Sequence, residues 1–186
     1  MTGNGYIAPD IPKDEDKRLE ELHDLELLDT ASELRFDRYT SLVADVFGFP
    51  IVLITLVDRD RQWFKSRLGW NLNQCSRDIS FCGHAILENS LMVVPNALDD
   101  PRFAKNPLVT EDPKVRFYAG AVVRGPSGYP LGTLCVLDYH PRYFDEEHRS
   151  LLRRFADLIE NEIAHDADLL ALKRDLQARM LARPNL

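Results

Sequence analysis

The fold is decided by residues 51–68, which read IVLITLVDRDRQWFKSRL. Residues 51–57 are nearly all apolar or β-branched, which is typical of a central strand that is covered on both faces. The polar run 58–61 (Asp-Arg-Asp-Arg) predicts a turn, and residues 62–68 are predicted to return as a second strand. Strands joined by a short turn pair antiparallel, so this hairpin predicts an antiparallel sheet.

Helices are predicted on the N-terminal side of this hairpin. Residues 1–12 contain two glycines and two prolines and are predicted to form a flexible arm, which leads into a helix over 13–28. The run 30–33 (Thr-Ala-Ser-Glu) has the form of a capping box that begins a second helix. That helix is predicted to end at Phe47, because Gly48 follows it directly.

The C-terminal side of the hairpin adds both strands and helices. The predicted elements are a short helix at 80–89, a short strand at 91–94, strands at 115–123 and 131–137, and a long helix at 145–180. Residues 95–113 hold four prolines and are predicted to be irregular, and a loop of this length is usually functional or disordered. The element order predicts an α+β fold, in which terminal helices pack on an antiparallel sheet.

The last predicted helix carries two apolar stripes. One stripe is predicted to pack on the sheet and consists of Leu152, Phe155, Ile159 and Ile163. The other is displaced around the helix, extends past the sheet, and consists of Leu169, Leu172, Leu176 and Met180. Its spacing of three, four and four residues is that of a coiled-coil seam, which predicts a homodimer through the terminal helices. The alternatives are that this helix folds back on its own domain or frays.

Composition and charge exclude several classes of partner. The formal net charge is -7, and basic residues are scattered beside acids on predicted helices. We therefore expect solvated helix faces at positions such as Arg18, Arg149 and Arg153, with binding neither to nucleic acid nor to an anionic membrane. The chain opens without a secretory pattern and contains no run of bilayer length, so a cytoplasmic location with three free thiols is expected.

Five strings in this sequence resemble, in order, those of a GAF domain. They are LLDTASELRFDRYTSLVADVFGFPIVLITLVDRDRQWFKSRLG, DISFCGHAI, DDPRFAKNPLV, VRFYAGAVV and GTLCVLD. The match is to the branch often attached to diguanylate cyclases and sensor histidine kinases. The resemblance implies a GAF/PAS-like central antiparallel sheet with terminal helices on one face. On the other face it implies a small-molecule pocket, roofed by the short helix and the long loop.

Departures from the family's motifs narrow the range of candidate ligands. The Asn-Lys-Phe-Asp-Glu motif of cyclic-nucleotide phosphodiesterase GAF domains is absent, so cyclic GMP is not favoured. The Cys-His dipeptide of bilin-carrying relatives is also absent, because Gly83 separates Cys82 from His84. Val122 and Val123 stand where the family usually has a proline-containing pair. No output domain follows in this sequence, so we expect a stand-alone sensor or a part of a longer protein.

Cys82 and His84, with Cys135 on a strand that could lie nearby, allow two interpretations. Thiolate and imidazole ligands suit zinc, copper or haem iron, and thiols also support redox chemistry. Alternatively the cysteines are small buried hydrophobes and His84 bonds to its own loop. A metal requires three or four ligands and this set falls short, so we expect no metal site and no catalytic residue, and the sequence identifies no cofactor.

The remaining candidate ligand-binding residues are aromatic or basic. Phe81 on the short helix and Phe103 on the long loop are expected to line the pocket. Arg102 could grip a carboxylate or phosphate at the pocket rim, or it could form a structural Arg-Asp pair that pins the loop. Arg116 and Tyr118 alternate on a strand and are expected to share one side of the sheet, where they would offer a ligand a cation and a phenol.

These observations predict a small-molecule-binding regulatory module that is not an enzyme. The predicted division is an arm at 1–12, a GAF-like domain at 13–165 and a helical extension at 166–186 for dimerisation and signalling. Its expected partners are an unidentified small ligand, a second copy and an output protein such as a diguanylate cyclase or histidine kinase. Two alternatives remain: a methionine sulfoxide reductase-like redox enzyme using Cys82 or Cys135, and a structural dimerisation module with a vestigial pocket.

Thiol accessibility separates these hypotheses. Because Cys82 and Cys135 lie in apolar segments, we predict slow alkylation of both in the folded protein, with Cys75 labelled first. Time-resolved mass spectrometry with a thiol reagent checks the order. Rapid labelling of Cys82, with a pKa below neutral, would contradict the prediction and support the redox enzyme.

Overall fold

The computed structural model describes residues 5–181, and within this range it contains one six-stranded antiparallel sheet with helices. The helices are α1 (Glu15–Asp24), α2 (Leu34–Phe47), α3 (Phe81–Ala85), α4 (Pro107–Thr110) and α5 (Glu146–Leu181). The strands are β1 (Ile51–Val57), β2 (Arg61–Leu68), β3 (Gln74–Ser76), β4 (Leu91–Val94), β5 (Phe117–Arg124) and β6 (Pro130–Asp138). The sheet order is β3-β2-β1-β6-β5-β4, so the predicted α+β fold is confirmed.

Both faces of the sheet are covered, by different layers. On β1, Val52, Ile54 and Leu56 belong to the apolar cluster that includes side chains of α1, α2 and α5. The alternate residues Ile51 and Leu53 belong to a second cluster with α3 and the segment that follows β4. Because successive strand residues point to opposite faces, the alternation of β1 assigns each of its side chains to one layer. The residues predicted for the central strand were correct.

The start of α2 differs from the predicted capping box. Glu33 precedes the helix in an extended conformation and makes no capping hydrogen bond. Its carboxylate instead binds Arg35 and the buried ammonium group of Lys65. The Thr30 hydroxyl donates to the Leu27 carbonyl. The prediction was wrong because Lys65, on β2, binds the Glu33 carboxylate, which the local pattern assigned to the first turn of the helix.

Other helix limits follow the predictions more closely. Gly48 ends α2 with a left-handed φ of 69°, as expected from its position. The Asp145 carboxylate accepts a hydrogen bond from the His148 N–H at 2.9 Å, at the start of α5. The first stripe of α5 is buried in the helix-side cluster. The second stripe is 52–75% exposed and consists of Leu169, Leu172, Leu176 and Met180.

Helix α1 is shorter than predicted, and the residues 95–113 include the short helix α4, which the sequence did not predict. The three-residue strand β3 was also missed, because a strand this short carries little periodic signal. Among residues 5–181, none of the helices combines the length and apolar character that a membrane span requires.

Arg18 is completely buried, which corrects the expectation of a solvated helix face. Its guanidinium donates two hydrogen bonds to the Glu15 carboxylate, at 2.7 and 2.9 Å. A third, of 2.7 Å, goes to the carbonyl oxygen at the end of β1, on Val57. The buried Arg77 reaches the same carboxylate. Helical spacing places Glu15 beside Arg18, but it could not show the burial, because Val57 and Arg77 come from other parts of the chain.

Arg153 on α5 is a second basic residue with a structural role. Its guanidinium donates to the Val122 carbonyl oxygen and to the Glu160 carboxylate. Glu160 also accepts a hydrogen bond from the Arg124 backbone N–H at 3.0 Å. The helix is thereby bound to the backbone of β5 by polar contacts as well as by its apolar stripe.

We predict that Glu15→Gln destabilises the domain by roughly 3–5 kcal/mol, because it leaves the guanidinium groups of Arg18 and Arg77 buried without a counter-charge. Glu20→Gln, at an exposed position of α1, is the control and is expected to change stability by less than about 0.5 kcal/mol. Urea unfolding at neutral pH measures both. Equal stability of the two variants would contradict the assigned role of this network.

The same network predicts a pH dependence. Burial raises the pKa of Glu15, but hydrogen bonds from Arg18 and Arg77 outweigh it and lower that pKa from 4.5 to about 2. Because the pKa of Glu15 is lower in the folded than in the unfolded protein, its ionised carboxylate stabilises the fold. This stabilisation is fully present above about pH 4.5 and is lost as the pH falls toward about 2. The stability difference between wild type and Glu15→Gln is therefore expected to shrink over that interval.

Candidate functional site

A small cavity lies between the sheet and α3. Its volume is about 10 Å³, close to the room that one water molecule requires. The residues around it are Leu53, Gln62, Phe64, Trp70, Cys75, Phe81, Cys82, Leu108, Tyr118, Cys135 and Leu137. All of these described lining residues are uncharged. The cavity is on the face of the sheet opposite the terminal helices, where the resemblance placed a pocket.

Helix α3 is held over the cavity by its own cap and by aromatic stacking. The Ser80 hydroxyl accepts a 2.9 Å hydrogen bond from the Gly83 N–H and so begins the helix. The ring of Phe81 stacks on Phe103 at a centroid distance of 4.1 Å, and on Tyr118 at 5.2 Å on its other side. The roof helix, the long loop and the sheet are therefore joined through one ring.

The sulfur of Cys82 is the most heavily hydrogen-bonded atom of the cavity wall. It lies 3.1 Å from the Thr133 hydroxyl, 3.4 Å from the Tyr118 hydroxyl and 3.8 Å from the sulfur of Cys135. Gly120 makes the Tyr118 contact possible, because a Cβ at that position would lie 2.0 Å from the phenol oxygen. The phenol thus lies along its own strand and reaches α3.

Burial and hydrogen bonding give the cysteines and the tyrosine of the cavity wall different pKa values. Burial raises the pKa of Cys82, but hydrogen bonds outweigh it and lower that pKa to about 7; the donors are Cys135, Thr133, Thr55 and Tyr118. Burial raises the pKa of Cys135 and of Tyr118. Burial also raises the pKa of Cys75, to about 12. The negative charge of a deprotonated pair would therefore reside on Cys82.

His84 binds the N-terminal arm. Its Nε2 lies 2.9 Å from the Ile7 carbonyl oxygen and donates to it, and the Ile7 N–H donates to the Arg102 carbonyl at 3.2 Å. Pro9 packs against Gly83, where a Cβ would come within 2.7 Å of the proline ring. The part of the arm that the structure describes thus crosses the outside of α3. Burial lowers the pKa of His84.

Arg102 forms a structural Arg-Asp pair, which is one of the two roles that the sequence allowed for it. Its guanidinium donates to both oxygens of Asp100, at 3.0 and 2.7 Å, and lies 5.0 Å from the ring centre of Phe103. The hydrogen bond from Arg102 lowers the pKa of Asp100. Arg102 is not among the residues that line the cavity, and its contact with a ligand remains a prediction.

Arg116 and Tyr118 do not meet in the cavity as expected. Tyr118 lies in its wall, but the Arg116 guanidinium donates to the carbonyl oxygens of Val109, Lys114 and Val115, at 2.8, 3.1 and 3.1 Å. Strand alternation gave the correct side for Tyr118. It could not show that backbone carbonyl groups of α4 and of the residues after it bind the Arg116 guanidinium, because those groups have no sequence signature.

Four polar residues of the site were not predicted. Thr55 and Thr133 are buried on neighbouring strands, 3.1 Å apart between their hydroxyl oxygens. Gln62 and Trp70 line the cavity, and Gln62 Oε1 and Trp70 Nε1 are buried without a hydrogen-bond partner. Thr55 and Thr133 could have been found from the sequence, because a threonine inside an otherwise apolar strand stands out. No local signal marks Gln62 and Trp70.

Comparisons with known proteins agree with this geometry. The GAF domain profile matches residues 31–163. A Pseudomonas aeruginosa protein named as a cyclic di-GMP phosphodiesterase is 38% identical over 153 residues, which are 82% of this chain and 26% of that protein. The chain therefore spans about a quarter of that relative's length.

Two solved structures share the fold. The GAF domain of an Acinetobacter phosphoenolpyruvate-protein phosphotransferase has a TM-score of 0.60 and 21% identity, over 82% of this chain and 96% of that one. The free methionine-R-sulfoxide reductase of Neisseria meningitidis, in complex with its substrate, has a TM-score of 0.60 and 16% identity, over 89% and 98%.

These findings correct the expectation that the chain is not an enzyme, which was wrong. The sequence relative carries an enzyme's name, and one of the two structural neighbours is itself an enzyme. The family, in contrast, is as predicted, because its profile matches residues 31–163, which are most of the chain. The chain belongs to the GAF domain family.

Proposed function

We propose that this chain is the ligand-binding GAF domain of a signalling protein, and that a small uncharged molecule enters the cavity under α3. The observation that carries the proposal is the pair of unpartnered polar atoms in the cavity wall, Gln62 Oε1 and Trp70 Nε1. A buried polar atom without a partner costs about 1–3 kcal/mol. A ligand that offers one donor and one acceptor would recover that cost.

The cavity wall also restricts the charge and shape of the ligand. Its described lining residues include no Asp, Glu, Lys or Arg, so a ligand with a carboxylate, phosphate or ammonium group would pay a large desolvation cost. The rings of Phe64, Phe81 and Tyr118 favour a flat, apolar body. We therefore propose a neutral, planar molecule, in place of the carboxylate or phosphate considered for Arg102.

Ligand entry requires the roof to move, because the closed cavity has room for only about one water. The wall residues Phe81, Cys82, Tyr118 and Cys135 would contact the ligand. The stack of Phe81 on Phe103 and the contacts of His84, Arg102 and Arg116 hold the roof closed. A ligand that binds the open form more tightly would shift the domain toward it, and this difference in affinity is the signal.

We propose that the signal reaches an enzyme of cyclic di-GMP metabolism. The support is the named cyclic di-GMP phosphodiesterase, of which this chain matches about a quarter. A sensor histidine kinase is the second candidate output. The three cysteines carry free thiols, which supports a cytoplasmic site of action.

We also propose that the protein is a homodimer through α5. The second stripe of that helix exposes four large apolar side chains, and each gains about 1.5–3 kcal/mol when it is fully buried. A two-fold partner would cover the stripe with its own copy. The groove between α1 and α5 is a different surface, because charged residues such as Glu20, Asp24 and Arg174 line it beside Leu25 and Leu170.

Gln62→Leu tests the ligand site. The variant keeps the side-chain volume and removes the unpartnered oxygen, so we expect equal or higher stability without ligand. Native mass spectrometry is expected to find a small molecule on freshly purified wild-type protein and none on the variant. The rise in melting temperature that this molecule gives the wild type should also be absent in the variant. Gln177→Leu, at an exposed position on α5, is the control and should keep both. Unchanged retention in Gln62→Leu would refute the proposed contact.

Leu172→Glu tests the dimer. We expect light scattering to give a dimer mass for the wild type and a monomer mass for the variant, because the substitution places a charge in the stripe. Circular dichroism should show the same secondary structure for both. Gln177→Glu adds the same charge to the same helix at a polar position and should remain dimeric. A monomeric wild type at micromolar concentration would overturn the prediction.

A further inference from the structure

We infer that Cys82 and Cys135 form a dithiol that hydrogen peroxide oxidises to a disulfide, which makes this pair a redox modification site in the wall of the cavity. The two sulfurs lie 3.8 Å apart, and both residues are only 1% exposed. They come from different layers, since Cys82 lies on the roof helix α3 and Cys135 on the central strand β6. A bond between them would cross the cavity site from roof to floor.

Three hydrogen-bond donors around Cys82 assign it the role of nucleophile. The hydroxyl groups of Thr133 and Tyr118 approach its sulfur at 3.1 and 3.4 Å, and the Cys135 thiol approaches it at 3.8 Å. Donors directed at one sulfur stabilise its thiolate, which is the form that attacks an oxidant. Burial raises the pKa of Cys135, so this residue keeps its proton and acts second.

The proposed reaction has two balanced steps. The Cys82 thiolate attacks one oxygen of hydrogen peroxide, the O–O bond breaks, and the products are Cys82 sulfenic acid and hydroxide, which takes up a proton to give water. The Cys135 thiol then attacks the sulfur of Cys82, forming the S–S bond and releasing a second water. In sum, two thiols and one peroxide give one disulfide and two waters.

The size of the cavity selects the oxidant. Cys82 and Cys135 both line it, and its volume of about 10 Å³ admits only a molecule not much larger than water. Hydrogen peroxide is small and uncharged, so it enters a wall that has no Asp, Glu, Lys or Arg without a large desolvation cost. Glutathione disulfide is large and charged, and we expect it to leave the pair reduced in the folded protein.

Oxidation would also act on the proposed ligand. The disulfide would tie α3 to β6, whereas ligand entry requires these two elements to separate, so the oxidised domain is expected to exclude the ligand. This consequence rests on the proposed function. The oxidation itself does not, because it requires only the two sulfurs and the cavity beside them.

Intact-mass spectrometry of the folded protein tests the oxidation. After hydrogen peroxide we expect a loss of about 2 Da, for two hydrogen atoms, which dithiothreitol reverses. Cys75→Ser should behave like the wild type, since its thiol is not part of the pair. Cys82→Ser and Cys135→Ser should not lose this mass, and Cys135→Ser should instead gain about 16 Da on the Cys82 peptide, as the sulfenic acid.

A peptide map makes the test independent of whether the variants fold. Non-reducing digestion of oxidised wild-type protein should yield one cross-linked pair, the peptides of Cys82 and Cys135. Absence of the loss of mass, or a cross-link that includes Cys75, would overturn the inference. Oxidation without any change in ligand retention would instead refute only the link to the proposed function, and leave the dithiol intact.

Discussion

The structure depends on a sheet that is buried on both faces at its centre. Because β1, β5 and β6 are covered from both sides, the alternation of their side chains assigns every residue to the helix layer or to the cavity layer. A shift of one residue would exchange the contents of the two layers. Gly132 permits the close approach of β6 to β1, since a Cβ there would lie 1.8 Å from the Thr55 carbonyl oxygen.

This division keeps structural charges away from the cavity. On the helix side, the Glu15 carboxylate pairs with both buried guanidinium groups, of Arg18 and Arg77, and Glu33 pairs with Lys65. On the other side, Arg102 and Arg116 are engaged by Asp100 and by backbone carbonyl groups at the margin. The polar groups of the described cavity wall are therefore one phenol, three thiols, one carboxamide and one indole.

The contact between Tyr118 and Cys82 joins the roof to the sheet. It requires Gly120, whose missing side chain leaves room for the phenol, and it places a hydroxyl beside the thiol pair. Proteins that share this fold carry names as different as a phosphotransferase domain and a sulfoxide reductase. The fold does not decide the chemistry of a member, so the side chains around its cavity must do so. Here those side chains are mostly apolar, with a phenol and two thiols whose sulfurs lie 3.8 Å apart.

The sequence by itself determined the elements whose signals are local. The apolar run of β1, the glycine that ends α2 and the two stripes of α5 depend on residues a few positions apart, and the ordered motifs identified the family. The sequence also predicted one cluster that contains Phe81, Phe103, Tyr118 and the two buried cysteines. Strand alternation gave the face for the strand residues, and the order of motifs gave it for the others.

Only the tertiary structure decided how the polar groups are used. Arg18 is buried because the end of β1 offers it a carbonyl oxygen, and Glu33 leaves its predicted cap because Lys65 binds it from β2. Cys82 and Cys135 are 53 positions apart in the chain yet 3.8 Å apart between their sulfurs. A hydrogen bond or ion pair depends on distances of a few ångströms between residues that the fold brings together, and periodicity within one element carries no information about them.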